Sequence, residues 1–144
     1  MSVETYQITI KSPIETIWSF IQAPENWLPL LPGYLSLKKL EATHYYTKLH
    51  LAIGPIDRDV ELSFTINDSK TTNQTIEFSF HSTTDKVTGY GSLNCFSNNS
   101  TETQVQLAIE IKLSGKSGLL FKPALTKLKL SWSQETLEKM RELF

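Results

Sequence analysis

The run Glu102 to Leu113, ETQVQLAIEIKL, alternates almost without exception. Thr103, Val105, Leu107, Ile109, Ile111 and Leu113 share one phase; Glu102, Gln104, Gln106, Ala108, Glu110 and Lys112 share the other. An extended chain turns successive side chains to opposite faces, so this run predicts a strand with one dry face and one wet face. Such a strand needs both sheet neighbours and a second layer over its dry side. The same period recurs over 34–40, 44–53, 57–67, 74–82 and 86–96, and a first strand is expected over 3–11. Val60, Leu62, Phe64 and Ile66 alternate with Glu61, Ser63, Thr65 and Asn67; Ile76, Phe78 and Phe80 alternate with Thr75, Glu77, Ser79 and His81. The joins are short: Gly54-Pro55, Asn67 to Asn73, Thr83 to Asp85 and Asn98 to Ser100. Short joins make consecutive hairpins, so the sheet is an antiparallel meander.

Two places break the period. Ser12-Pro13-Ile14-Glu15 reads as a helix start, with a Ser12/Glu15 capping box and proline at the first helical position. Ile14, Ile17, Trp18 and Ile21 supply its apolar stripe, and Pro24 ends it near Ala23. After Gly115 and Gly118, residues Phe121, Leu125, Leu128 and Trp132 follow at helical spacing, and Leu137, Met140 and Phe144 extend that face. This predicts a long helix over 120–143, with Pro123 confined to its first turn. The expected fold is α+β: one domain over 1–144, with a curved seven-stranded antiparallel sheet wrapped around the C-terminal helix and two short helices after the first strand.

The totals exclude several functions. Charged residues are 20% of the 144 and the net charge is −1, so no basic excess points to nucleic acid. The one cysteine, Cys95, allows neither an intrachain disulfide nor a thiolate zinc site. No basic segment followed by an apolar core opens the chain, and no apolar run is long enough to span a bilayer. A cytoplasmic protein with no transmembrane segment is expected.

Chemistry-bearing residues are sparse. His44, His50 and His81 share no metal-ligand spacing, and the latter two stand on polar phases. Cys95 reads as a small buried side chain rather than a nucleophile. Gly89 and Gly91, inside a strand pattern, read as a bend or as space left inside a cavity. No catalytic residue, metal or cofactor is expected. Arg58 is the polar residue on an apolar phase, that of Val60, Leu62 and Phe64. It either reaches water at the strand end or orients an oxygen of a ligand at a cavity mouth. Tyr45, Thr47 and Ser82 continue apolar phases as well, and Tyr90 is ambiguous in phase. A curved sheet leaves a hollow against one straight helix. The candidate lining is Leu49 and Leu51; Val60, Leu62 and Phe64; Phe78 and Phe80; Tyr90; Leu107 and Ile109; and Phe121, Leu125, Leu128 and Trp132 from the helix.

One stretch resists this scheme. Ala23-Pro24-Glu25-Asn26-Trp27-Leu28-Pro29-Leu30-Leu31-Pro32-Gly33 is too broken for a core helix and too apolar for an ordinary loop. Trp27, Leu28, Leu30 and Leu31 either seal one end of the groove or form a gate, with Trp27 able to meet a membrane interface transiently.

The element order is that of the START-like helix-grip superfamily. Ser12-Pro13-Ile14-Glu15-Thr16-Ile17-Trp18-Ser19-Phe20, Pro24-Glu25-Asn26-Trp27, Leu31-Pro32-Gly33 and Gly54-Pro55-Ile56 together resemble the CoxG-like family, named for its association with carbon monoxide dehydrogenase. That family shows a P-x-E-x-V-W-x-F helix start, a D-P-E-x-L-x-x-L-L-P-G stretch and a V-G-P-I turn. Asp57-Arg58-Asp59 stands where relatives carry a lysine and a glycine, and the sequence stops at Phe144, where many relatives continue into a membrane-attachment segment.

The resemblance implies a link to a molybdenum-containing dehydrogenase. The expected function is non-enzymatic holding or carriage of an apolar small molecule, a lipid or isoprenoid quinone, in the space between sheet and helix. Two alternatives stand beside it. One is an enzyme of the polyketide-cyclase or aromatase type. The other is a protein-interaction module with a filled core that docks through an exposed Trp27 region.

Overall fold

The computed structural model describes residues 4–53, 56–70, 74–82, 87–113 and 122–144. Among them, β1 (Glu4–Ile10), β2 (Tyr34–Glu41), β3 (His44–Ile53), β4 (Ile56–Lys70), β5 (Thr75–His81), β6 (Val87–Asn99) and β7 (Glu102–Leu113) form one antiparallel sheet. Its order is β1-β7-β6-β5-β4-β3-β2. β2 to β7 are therefore a meander, and β1 returns to the far edge beside β7, with Ile8 opposite Val105. The seven strands match the expected curved sheet. β4 and β6 are longer than expected because bulges, between Ile66 and Asp68 and between Ser97 and Asn99, carry pairing past the point where simple alternation fails. The expected turns at Gly54-Pro55 and Thr83 to Asp85 lie outside the described residues.

Helix α1 (Ile14–Ile21) buries Ile17, Trp18 and Ile21. Its capping box does not form. Pro13 takes the N-cap place with extended backbone, and no side chain caps the first turn. The Ser12 carbonyl instead accepts the Thr103 hydroxyl at 2.8 Å, which ties the helix entry to β7. Helix α2 (Pro24–Trp27) runs directly into a 3-10 turn over Leu28–Leu30. Helix α3 (Lys122–Glu142) holds Pro123 in its first turn, where a missing amide donor costs nothing.

Along α3, Leu125, Lys129, Trp132, Ser133, Thr136, Leu137 and Met140 are buried. The helix packs mainly on β1 and β7 and on the 3-10 turn, and only lightly on β3. Tyr6 of β1 donates its hydroxyl to Glu138 at 3.0 Å, fixing the second half of the helix along that edge. This is the helix grip, with a dry face of sheet held against one long helix. No helix among the described residues is long and apolar enough to cross a membrane.

Candidate functional site

The dry face of the sheet is built largely from the inward phases of β3, β4, β5 and β7. Thr47, Leu49 and Leu51 of β3 are buried, as are Val60, Leu62 and Phe64 of β4 and Phe78 and Phe80 of β5. Leu107 and Ile109 of β7 complete it. Cross-strand register sets Leu49 opposite Val60, Thr47 opposite Leu62 and Phe64 opposite Phe80. A row of rings crosses this face. Trp27 lies 5.4 Å from Phe78 between ring centroids, Phe78 lies 6.1 Å from Phe64, Phe64 lies 5.0 Å from Phe80, and Phe80 lies 5.7 Å from Trp132. One end of the row comes from α2 and the other from α3.

Gly89 and Gly91 explain how the rings fit. Gly91 faces Phe78 and Gly89 faces Phe80 across the β5–β6 pair. A Cβ at either position would collide with the facing ring and with a backbone carbonyl, that of Glu110 or Ala108. The glycines therefore do not leave open space; the phenyl rings lie over them. The sequence pattern shows two missing side chains but not what fills their place.

Trp27 is pinned. Its indole N–H donates to the Ile21 carbonyl at 2.9 Å, and the residue is 2% exposed. Leu28 and Leu31 are buried beside it, and Leu30 is half-buried. The expectation of an exposed Trp27 docking surface is corrected on this point, because the ring closes the end of the groove from within.

Helix α3 lies chiefly over β1 and β7 and only lightly over β3, yet the inward side chains of β3 to β5 are buried. Among the described residues five side-chain polar atoms are buried without a hydrogen-bond partner: Trp18 Nε1, Thr47 Oγ1, Glu110 Oε2, Ser133 Oγ and Thr136 Oγ1. Thr47 was legible from its phase; Ser133 and Thr136 were not. A further buried pair escaped the sequence reading. Lys129 Nζ lies 3.1 Å from Glu110 Oε1, which also accepts the Ile111 N–H at 3.1 Å, while Glu110 Oε2 has no partner. Glu110 stands on the wet phase of β7, so alternation assigned it to solvent. The available signal was Lys129 itself, four residues after Leu125 and three before Trp132, on the apolar stripe where a cation needs a counter-charge.

Other residues singled out from the sequence lie elsewhere. Tyr90 is on the wet face, 42% exposed, with the Lys112 ammonium 5.9 Å from its ring centre. It borders an open groove of about 470 Å³ with Asn67, Glu77 and Ser92. Its alternation with buried Val87, Gly89 and Leu93 resolves the ambiguous phase outward. Arg58 is exposed, opposite Leu51 near the start of β4. Leu125 is buried and Leu128 half-buried on α3, and Phe121 lies outside the described residues.

Tyr45 is buried, and its hydroxyl lies 3.4 Å from both Glu25 and the Ala42 carbonyl. His50 is held on the surface between Asp59 at 3.0 Å and Asp57 at 2.5 Å. Bonding to Asp59, then to Asp57, raises its pKa above the usual histidine value. Burial pushes the Cys95 thiol up to about 11. Among the described residues no three His, Cys, Asp or Glu side chains are grouped to hold a metal.

A protein-family model matches residues 1–143. No curated protein matches the chain in sequence. Solved structures do match in fold. A conserved protein from Geobacillus kaustophilus superposes with a TM-score of 0.80 at 16% identity, covering 96% of this chain and 91% of that one. The Zhui aromatase/cyclase from Streptomyces sp. R1128 gives 0.64 at 12% identity, with 96% and 92% covered. Norcoclaurine synthase from Thalictrum flavum, solved with dopamine and hydroxybenzaldehyde, gives 0.66 at 14% identity, with 96% and 85% covered. At such identities the likeness is one of fold.

Proposed function

For a chain that belongs to the family whose model spans residues 1–143, and whose fold is the polyketide-cyclase-type (SRPBCC, START-like) helix grip, we propose a binding role. The protein holds an apolar small molecule between the β3–β5 face and helix α3. One observation carries this reading. The apolar inner face of β4 and β5, with Phe64, Phe78 and Phe80, is roofed in part by the Trp27 and Trp132 side chains, since α3 lies chiefly over β1 and β7. Side chains change rotamer at far lower cost than a helix moves, so this roof can part around a ligand and close without one. The unpartnered Thr47 hydroxyl adds one polar contact to an otherwise greasy wall, the usual composition of a small-molecule site.

Within this reading the ligand is a lipid or isoprenoid quinone, and the protein is accessory to a molybdenum-containing dehydrogenase, as maturation factor or as electron-acceptor carrier. The support for that finer assignment is the resemblance of 12–20, 24–27, 31–33 and 54–56 to the CoxG-like family. The test is a titration with N-phenyl-1-naphthylamine, a neutral dye that emits strongly in apolar surroundings. Saturable uptake of one dye per chain, lost in a folded Leu128→Trp variant, is the expected result. Absence of saturable uptake by the wild-type chain overturns the binding reading.

A further inference from the structure

We infer that segment 24–32 is the door to the ligand space, and that Glu25 is its latch, closing on Lys39 and Tyr45 of the β2–β3 hairpin. This rests on the binding reading above and adds how its site is reached. The segment stands at one end of the inner face. Trp27 meets Phe78 there, Leu28 and Leu31 are buried beside it, and the 3-10 turn packs on β2 and α3.

The backbone of this segment is tied only locally. The Leu28 N–H donates to the Pro24 carbonyl, Asn26 to Ala23, Leu31 to Leu28 and Tyr34 to Leu31. Each of these joins near neighbours in the chain, and among the described residues no backbone bond carries 24–32 across to a distant strand or helix. The two ends are fixed. Ala23 leaves the helical path with extended backbone, φ −103° and ψ 101°. Gly33 turns with φ +77°, where a Cβ would strike the His50 carbonyl, and its own carbonyl accepts the His50 N–H at 2.8 Å.

Side chains therefore hold the segment shut, and they do so unequally. Toward α1, Asn26 Nδ2 and Trp27 Nε1 donate to the Phe20 and Ile21 carbonyls at 3.0 and 2.9 Å, groups that the last turn of a helix leaves open. Toward the hairpin, the polar tie among the described residues is one carboxylate. Glu25 Oε2 lies 3.3 Å from Lys39 Nζ, and Glu25 Oε1 accepts the Tyr45 hydroxyl at 3.4 Å. Lys39 and Tyr45 are cross-strand partners, with the ammonium 5.8 Å from the ring centre. Glu25 and Lys39 are exposed, whereas Tyr45 is buried and stands opposite Phe64 of the inner face. The α1 side is thus the hinge, and the hairpin side is the opening edge. Burial of Trp27, Leu28 and Leu31 returns the door to its closed place. An exposed ion pair is a weak, salt-screened fastening, which suits a latch that must release without unfolding the sheet.

A latch speeds entry and exit alike when it is removed and leaves affinity unchanged; a residue of the binding wall changes affinity. The experiment is stopped-flow uptake and displacement of N-phenyl-1-naphthylamine. Glu25→Gln is expected to raise both rate constants about threefold, the scale of an exposed ion pair, at an unchanged Kd. Glu15→Gln, the same charge change in the first turn of α1, leaves both rates as they are. The swapped pair, Glu25→Lys with Lys39→Glu, restores slow exchange. Amide hydrogen exchange within 25–31 rises in Glu25→Gln, while that of β3 to β5 does not. If the wild type takes up dye and Glu25→Gln matches its rates, or changes Kd through one rate alone, the latch is overturned while the binding reading stands. Fast exchange persisting in the swapped pair overturns the ion pair as the fastening. If hydrogen exchange in 25–31 and in the sheet rise together, the segment opens only with the core and the door is overturned. If no dye binds, the door and the binding reading fall together.

Discussion

Replacing Thr47 by valine removes one oxygen and changes little else. Thr47 is 0% exposed, sits mid-strand opposite Leu62, and its Oγ1 has no partner. Valine keeps the branched shape and suits a strand at least as well. No hydrogen bond is lost, because none is made. What disappears is the cost of holding a hydroxyl away from water, about 1–3 kcal/mol. Taking the lower end, the ligand-free Thr47→Val protein is about 1 kcal/mol more stable than wild type. For a domain of this size that raises Tm by about 3 °C.

Urea unfolding at 25 °C, after solvent extraction of the protein, gives the number directly as a shift in midpoint at unchanged m-value. The ligand-loaded protein responds in the opposite sense if the hydroxyl holds a polar atom of the ligand, with affinity down about tenfold for a lost contact of about 1.4 kcal/mol. Destabilisation of the extracted protein by 1 kcal/mol or more would refute the reasoning, since it would mean that Thr47 is paired in the empty protein.

Gly89→Ala forces a methyl group into the Phe80 ring and the Glu110 carbonyl, so a loss of about 2–3 kcal/mol in urea unfolding is expected. Adding Phe80→Leu should recover part of it, and additive losses would contradict ring–glycine packing. His50 should titrate above its usual value in NMR, with Asp59→Asn lowering it more than Asp57→Asn. A raised folded pKa means the clasp stabilises fully below the unfolded value of about 6.5 and fades as pH rises through the folded one. A midpoint at or below 6.5 would remove the clasp. Cys95, 1% exposed with its thiol raised to about 11, should react with a disulfide reagent at pH 8 only at the rate of unfolding. Rapid labelling of the native protein would show that the β6 interior is open.

Strand phase was the legible part of this molecule. Residues 102–113 alternate in sequence and, except at the buried Glu110, alternate in burial, because a half-buried antiparallel strand leaves each side chain one choice of face. Thr47 was found the same way. Ser133, Thr136 and Lys129 were not, because helix α3 is read from its apolar positions, and a polar residue on the stripe looks like an interruption rather than a buried group. Glu110 was missed for a different reason. Its phase points outward, yet it is buried and paired with Lys129, nineteen positions away. The capping box at Ser12 failed because Pro13 takes the N-cap place and the Ser12 N–H, which Glu15 would have had to reach, donates instead to the Ile10 carbonyl at 2.9 Å. Trp27 was recognised as a plug or a gate; its bond to the Ile21 carbonyl, six positions back, is a geometric fact with no sequence signature.

The central claim is that an apolar molecule is held between the β3–β5 face and helix α3. Native mass spectrometry of gently purified protein, followed by solvent extraction and identification of what is released, tests it most directly. A stoichiometric apolar adduct that disappears on extraction is the predicted result. A bare polypeptide mass that stays bare after incubation with 1-decanol and with N-phenyl-1-naphthylamine would contradict it.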